Sequence, residues 1–242
     1  CALPISSEIG SKIAGTLIAN NIQFILVDPS GITVADKAKI DVSGLVLSTT
    51  GVSGIQQDNF RGDGNLSFDE SSDGEIIIDS GATLVPSNLE NVVLIGKDIQ
   101  NDANIKASGL VAMLATDKAT LNLEGSNILG VSFNASALID NANFVNNGTI
   151  IADRAFLASL AKNQAININK DITANQIVIS GDKIQLASNI TKNNENGLLK
   201  IGKLSSENAS IDINLDAASE LTIGSNSALS GFDDSQISVK AN

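Results

Sequence analysis

The amino-acid sequence predicts an all-β protein: a right-handed parallel β-helix, built as a single-stranded solenoid with coils of roughly 20–23 residues. Three observations support this fold class. The composition supplies the small, branched side chains of a narrow core, short runs alternate apolar and polar residues, and one such run recurs at a regular spacing. Together they indicate short strands that stack in successive coils.

The composition favours a thin core of aliphatic side chains. Hydrophobic residues make up 43% of the 242-residue chain and charged residues 17%, which is enough apolar material for a continuous core. With 7 Phe, 1 Met and no Trp or Tyr, the core must consist mainly of Ile, Leu, Val and Ala. No apolar run approaches the ~18 to 20 residues that cross a bilayer, so we expect a soluble chain.

Short runs that alternate apolar and polar residues are typical of β-strands. Gly, Asn, Asp and Ser separate these runs, which indicates tight turns rather than long loops or helices. The clearest runs are residues 74–78, 165–169, 176–180 and 210–215.

A recurring segment gives the length of one coil. Each copy has Asn and small polar residues that lead into an Ile, and the copies begin at residues 101, 146 and 169. The spacing from Ile150 to Ile172 is one period of about 22 residues, and that from Ile105 to Ile150 is about two. We therefore expect these three isoleucines to stack inward at equivalent coil positions, with Asn side chains sharing amide hydrogen bonds along the turns.

The main alternative fold is a seven-stranded β-sandwich. Its turns recur every ~8 to 12 residues without a longer repeat, whereas this chain shows the longer one. Stacked coils also let every strand pair with the coils above and below, which a lone coil cannot do. The repeat therefore favours the solenoid.

The sequence does not indicate enzymatic chemistry. The absence of His removes the commonest general base and metal ligand, and the single Cys1 excludes a multi-cysteine metal site. Asp233 and Asp234 are adjacent in sequence, so on a strand they would point to opposite faces; a solvated turn is favoured. The acidic segment from Gln56 to Asp73 lacks the spacing of a calcium loop and is interpreted as a surface loop. We expect no catalytic residue, no metal and no cofactor, and the net charge of -12 argues against a nucleic-acid partner.

Three segments in the first half of the chain carry recognisable motifs. Residues 11–32 read Ser-x-Ile-x-Gly, a linker of small residues, an apolar strand and then Asp-Pro-Ser-Gly-Ile; residues 38–49 contain Gly-Leu-x-x-Ser-Thr; residues 109–115 form an apolar strand after the first Asn-rich copy. These segments resemble the filamentous haemagglutinin family, in which the first motif ends in Asn-Pro-Asn-Gly-Ile. The resemblance is specific from Ser11 to about Ala115.

The resemblance implies a function in secretion. The chain would be the secretion domain and early stem of an exoprotein of the two-partner secretion pathway of Gram-negative bacteria, recognised by an outer-membrane transporter and delivered to the cell surface or the medium. An adhesin that binds a host or bacterial surface receptor is favoured over a cytolysin or a contact-dependent toxin, and a monomer is expected. Residues 1–115 would be the secretion-domain-like part, truncated at its N-terminus relative to the family, and residues 116–242 would continue the β-helix repeats of the same solenoid.

The turn at Asp28, Pro29, Ser30 and Gly31 is the candidate site. Pro29 fixes one turn dihedral, Gly31 permits a strained conformation, and Asp28 and Ser30 can bond nearby backbone amides, so the turn can simply close a coil. The resemblance implies a second role, recognition by the transporter. This sequence has Asp28 and Ser30 at the two positions where the family motif has Asn, and this difference puts that role in question.

Two other functions remain open from the sequence. The first is a carbohydrate-active β-helix enzyme, such as a polysaccharide lyase or hydrolase, which activity on acidic polysaccharides would reveal. The second is a structural stalk or tailspike-like repeat. A neighbouring gene for an outer-membrane barrel with periplasmic domains would favour the secretion domain over both.

Overall fold

The structure is a computed structural model. It describes residues 2–4, 9–54, 56, 65–124, 127–132, 139–162, 164–181, 183–193, 198–202, 220–223 and 229–230. The predicted strand at residues 210–215 lies outside these residues. Within the described part of the chain, no helix is long and apolar enough to cross a membrane.

Successive coils stack in parallel and form three faces. Face one is an eight-stranded sheet in which each strand pairs in parallel with the equivalent strand of the next coil. In stacking order its strands are β2 (Ser11–Ile13), β4 (Ile32–Val34), β7 (Glu75–Ile78), β10 (Asp98–Asn101), β15 (Asn143–Asn146), β17 (Ala165–Ile168), β19 (Lys183–Leu186) and β22 (Glu220–Ile223).

Faces two and three belong to one twelve-stranded parallel sheet. Its long strands cross both faces, and shorter strands pair with one half of them or the other. The long strands are β3 (Thr16–Val27), β5 (Lys39–Ser48), β16 (Ile150–Ser159) and β18 (Ile172–Ser180). The short strands of face two are β8 (Thr83–Leu84), β11 (Ile105–Lys106), β20 (Ile190–Lys192) and β23 (Leu229–Ser230), and those of face three are β1 (Ala2–Pro4), β9 (Asn91–Gly96), β12 (Leu110–Ala115) and β21 (Leu198–Gly202).

Like side chains stack along the interior, as the repeat predicts. Ile105 pairs with Ile150, and Ile150 pairs with Ile172. Each is at most 1% exposed, and all three belong to one core cluster that runs through the coils. The prediction that these isoleucines occupy equivalent inward positions is confirmed.

The interpretation of the spacing between Ile105 and Ile150 as two coils is wrong. These residues lie in neighbouring coils, and the 45-residue separation in this part of the chain is one coil plus an insertion. Residues between β12 and β15 leave the solenoid as β13 (Ala119–Glu124) and β14 (Asn127–Ser132). Where no insertion intervenes, one coil is 22 residues long between Asn147 and Asn169 and 18 residues long between Ile172 and Ile190.

A small antiparallel sheet covers the outside of face three. It contains β13, β14 and β6 (Leu66–Phe68), which comes from an earlier insertion between β5 and β7. We call these three strands the extrahelical sheet. It packs against outward side chains of face three and forms a second core cluster. Because face three is covered on both sides, every residue of β9 and β12 is buried, and apart from Asn91 at the start of β9 these strands carry no polar side chain.

Asn side chains form the predicted ladder at the turn after face one. Asn101 and Asn146 are both fully buried, and the Asn101 Nδ2 group donates to Asn146 Oδ1 at 2.8 Å. Each amide also donates to a backbone carbonyl of its own turn, at Ala103 and Gly148 respectively. The ladder continues outside, where Asn169 Nδ2 donates to Asn147 Oδ1 at 2.8 Å.

The inward position of Ile150 leads to a stability prediction. Ile150→Asp places a carboxylate in a water-free interior between Ile105 and Ile172, which we expect to cost about 3 kcal/mol or more and to lower Tm by roughly 10 °C. The matched control is Ile151→Asp, because Ile151 is 43% exposed on the same strand. Thermal unfolding followed by circular dichroism checks both variants. Equal Tm losses would contradict the inward assignment of Ile150.

Candidate functional site

The Asp28–Gly31 turn joins face three of the first coil to face one of the second. The Gly31 amide donates to the Asp28 carbonyl at 3.1 Å and closes the turn. The Asp28 amide donates to the Ser48 carbonyl of the second coil at 2.9 Å, while the Ser11 amide of the first coil donates to the Gly31 carbonyl at 2.8 Å. The turn is therefore part of the hydrogen bonding between coils.

The Asp28 side chain organises the turn from inside. It is fully buried, and Ser11 Oγ donates to Asp28 Oδ2 at 2.6 Å. The Ser30 amide donates to Asp28 Oδ1 at 3.0 Å, the local bond that Asp or Asn makes to the residue two positions on. Both carboxylate oxygens thus have donors, which compensates for burying the group. The sequence-based expectation that Asp28 bonds nearby amides is confirmed.

Glycines above and below make room for the turn. A Cβ atom on Gly74 would overlap the Pro29 carbonyl oxygen and lie 2.7 Å from the Gly31 nitrogen, which is too close for either contact. A Cβ atom on Gly10 would lie 2.6 Å from the Gly31 carbonyl oxygen. Gly31 itself has φ of 123°, a conformation that other residues rarely adopt. Sequence reasoning did not identify Gly10 and Gly74; the signal is a glycine directly before each of β2, β4 and β7.

Only part of the turn faces solvent. Ser30 is exposed and Pro29 is partly exposed, whereas Asp28 is buried. A partner that meets the folded domain can therefore contact the Pro29 ring and the Ser30 side chain, but not the Asp28 carboxylate. Recognition of the turn by a transporter remains a prediction.

A small group of charged side chains lies beside the turn and consists of Asp73, Glu75, Lys97 and Asp98. Burial of Glu75, together with the charge of Asp98 on the paired strand, raises the pKa of the Glu75 carboxyl above its ordinary value. Nearby, Lys97 Nζ donates to Asp73 Oδ1 at 2.7 Å. This hydrogen bond and the charge of Lys97 lower the pKa of Asp73, and the hydrogen bond raises the pKa of Lys97.

The acidic residues that the sequence singled out have structural roles where they are described. Both carboxylate oxygens of Asp69 accept bonds from Ser53, at 3.0 Å each. In the described part of the chain, no group of three His, Cys, Asp or Glu side chains is placed to hold a metal ion. Asp233 and Asp234 lie outside the described residues, as does most of the acidic segment before Asn65.

The fold and the turn define a class of protein. A parallel β-helix with bonded surface turns and an antiparallel sheet on one face is a repeat architecture, organised along its length rather than around a cleft. A family model described as the TPS secretion domain, where TPS stands for two-partner secretion, matches residues 5–201. The chain belongs to this family, which confirms the predicted resemblance.

A curated relative agrees with the family match. The heme/hemopexin-binding protein of Haemophilus influenzae is 29% identical over 195 residues, which cover 73% of this chain. The match spans 21% of that relative, so the chain corresponds to a small part of a larger protein. Proteins with the TPS domain are secreted through the outer membrane to the cell surface or the medium, as predicted. The family match crosses residue 115, and the division of the chain there remains a prediction.

The close packing at Gly74 gives a test of the turn. Gly74→Ala forces the Pro29–Gly31 backbone to move, and we expect a loss of about 1–3 kcal/mol in the free energy of unfolding. Gly15→Ala is the matched control, because nothing lies within 4 Å of a Cβ atom there. Urea unfolding measures both. A Gly74→Ala variant as stable as Gly15→Ala would show that the turn is not confined between coils.

The raised pKa of Glu75 gives a test of pH dependence. Its folded-state pKa lies above the ordinary value of 4.5, so protonated Glu75 favours folding below that value and the contribution is lost as pH rises through the folded pKa. Glu75→Gln should therefore stabilise the domain by less than about 1 kcal/mol at pH 7, and not at pH 3.5. Asp73→Asn should instead destabilise the domain at pH 7, because the hydrogen bond and charge of Lys97 lower the pKa of Asp73. Thermal unfolding at the two pH values checks both signs.

Proposed function

We propose that this domain is the export signal of a two-partner secreted surface protein, recognised in the periplasm by a cognate outer-membrane transporter. The observation that carries the proposal is the family match, which extends from residue 5 to residue 201 and so includes the strands of all three faces from β2 to β20. The net charge of -12 suits a chain that must avoid anionic headgroups on its way to the surface.

The Asp28–Gly31 turn is the proposed recognition element. Its support is its position: it lies at the N-terminal end of the coil stack, with Pro29 and Ser30 towards solvent. The remaining polar groups of the turn bond to Ser11, Ser30 and Ser48 once the coils form. A transporter that binds the folded domain can reach Pro29, Ser30 and Gly31 but not the Asp28 carboxylate, whereas one that binds the chain before folding has the whole segment available.

The domain itself is proposed to be non-catalytic. The chain has no histidine, and the adjacent carboxylates of Glu75 and Asp98 lie on the outside of face one. Purified protein should therefore show no turnover of acidic polysaccharides in a reducing-end assay. Measurable lyase or hydrolase activity would overturn this part of the proposal.

We further propose that the whole protein is an adhesin-type binder whose specificity resides outside this domain. The curated relative is named for binding heme and hemopexin, and the present chain spans 21% of it. Residues 1–242 alone should then bind neither heme, followed by absorbance, nor immobilised hemopexin. Tight binding of either by this chain would place the activity here instead.

An export assay tests the transporter proposal and the turn together. The chain, fused to a signal peptide that directs it to the periplasm, is expressed beside its cognate transporter, and the protein in the culture medium is compared with the cell-associated protein. Omitting the transporter should abolish export. Pro29→Ala combined with Gly31→Ala should reduce export roughly tenfold, because both the turn sequence and its shape change.

Gly74→Ala separates recognition from folding. This variant disturbs the packing of the turn but keeps the sequence Asp28–Gly31 intact. If the transporter recognises the sequence of the turn, the double variant should export less protein than Gly74→Ala even when the two variants have lost the same amount of Tm. If export falls in proportion to Tm for both, the turn has a structural role only. Export without the transporter would contradict the proposal as a whole.

A further inference from the structure

The domain has two separate hydrophobic cores. The first lies inside the coils and contains Ile105, Ile150 and Ile172. The second lies between the extrahelical sheet and the outward side of face three, and joins Phe68 and Leu121 of the sheet to residues of face three such as Val93. Losing the second core would therefore leave the interior of the coils packed.

Side-chain contacts attach the extrahelical sheet to the coils. Its backbone pairings join β13 to β6 and to β14. Within the described residues, no backbone hydrogen bond links these three strands to a strand of the coils. The insertions are joined near their bases, where Thr50 Oγ1 donates to the Thr116 carbonyl at 3.0 Å. Detaching the sheet thus breaks apolar contacts but none of the ladders that hold one coil to the next.

An apolar stripe lies beneath the extrahelical sheet. In register across five coils, outward positions of face three carry Ile, Val, Val, Ala and Phe. These residues are Ile25, Val46, Val93, Ala112 and Phe156, all assigned to or packed against the second core. The outside of a soluble β-helix normally carries polar side chains, and this stripe is hidden only while the extrahelical sheet is in place.

We propose that the extrahelical sheet is a cover that opens and closes as one unit over coils that stay folded. The closed form presents a polar outer surface, with Ser67 and Thr120 facing solvent from paired strands. The open form exposes the apolar stripe to solvent. Proteins open locally in cooperative units that often coincide with supersecondary motifs, and this sheet is such a unit because, within the described residues, no backbone ladder joins it to the coils.

Native-state hydrogen exchange followed by mass spectrometry tests the cover on the purified chain. Amides of β6 and β13 should exchange together and at least about 30-fold faster than those of β10, β15 and β17.

A pair of neighbouring substitutions gives an independent measurement. Leu121→Ala removes a fully buried contact of the second core, and should speed exchange of β6 and β13 by about 30-fold and increase binding of an apolar dye. Thr120→Ala, on the solvent side of the same strand, should change neither. Exchange of the extrahelical sheet only with unfolding of the whole chain, in the wild-type protein, would overturn the proposal. So would acceleration of the coil strands to the same extent by Leu121→Ala.

Discussion

The register between neighbouring coils is the constraint on which the rest of the structure depends. A single coil cannot satisfy its own strand hydrogen bonds, so each coil is stable only when paired in parallel with the next. Because side chains alternate between the two sides of a strand, a slip of one residue would turn the Ile150 set outward and expose the core. The stacking of Ile105, Ile150 and Ile172 fixes that register on face two. The buried hydrogen bond between the Asn101 and Asn146 side-chain amides fixes it at the adjoining turn.

The same close stacking determines where glycine is required. Neighbouring strands lie roughly 4.8 Å apart, so a turn that sits directly on another leaves no room for a side chain. Gly10 and Gly74 meet this condition on either side of the Asp28–Gly31 turn, and Gly148 meets it where its Cβ atom would overlap the Ala103 carbonyl oxygen. The candidate site is thus a local result of coil packing, and its buried Asp28 carboxylate belongs to that packing.

The sequence predicted the parts of the fold that local patterns encode. Alternating runs identified strands, the 22-residue repeat identified the coil, and the shape of the turn followed from Asp28, Pro29 and Gly31. The insertions were missed because a 45-residue separation is close to two coils, so spacing alone cannot tell two coils from one coil with an insertion. Pairing of β6 with β13 is a long-range contact without a local signal. The glycines beside the turn were missed because they act across coils.

Contacts between neighbouring coils and contacts of the extrahelical sheet join segments at different sequence separations, which matters for a chain that is secreted. Most coils pair with a segment about one period away, so each can form on the one before it as the chain appears. The extrahelical sheet is an exception, since its base joins Thr50 to Thr116 across 66 residues and its core reaches Phe156. Face three therefore remains uncovered until β13, which follows the fourth coil, is available to pair with β6. Its apolar strands are the segments most in need of protection during export, because they combine high β-propensity with few charges. The secretion domain thus combines a solenoid whose coils can form in sequence with a sheet that needs two distant insertions, and that sheet buries the apolar outer side of face three.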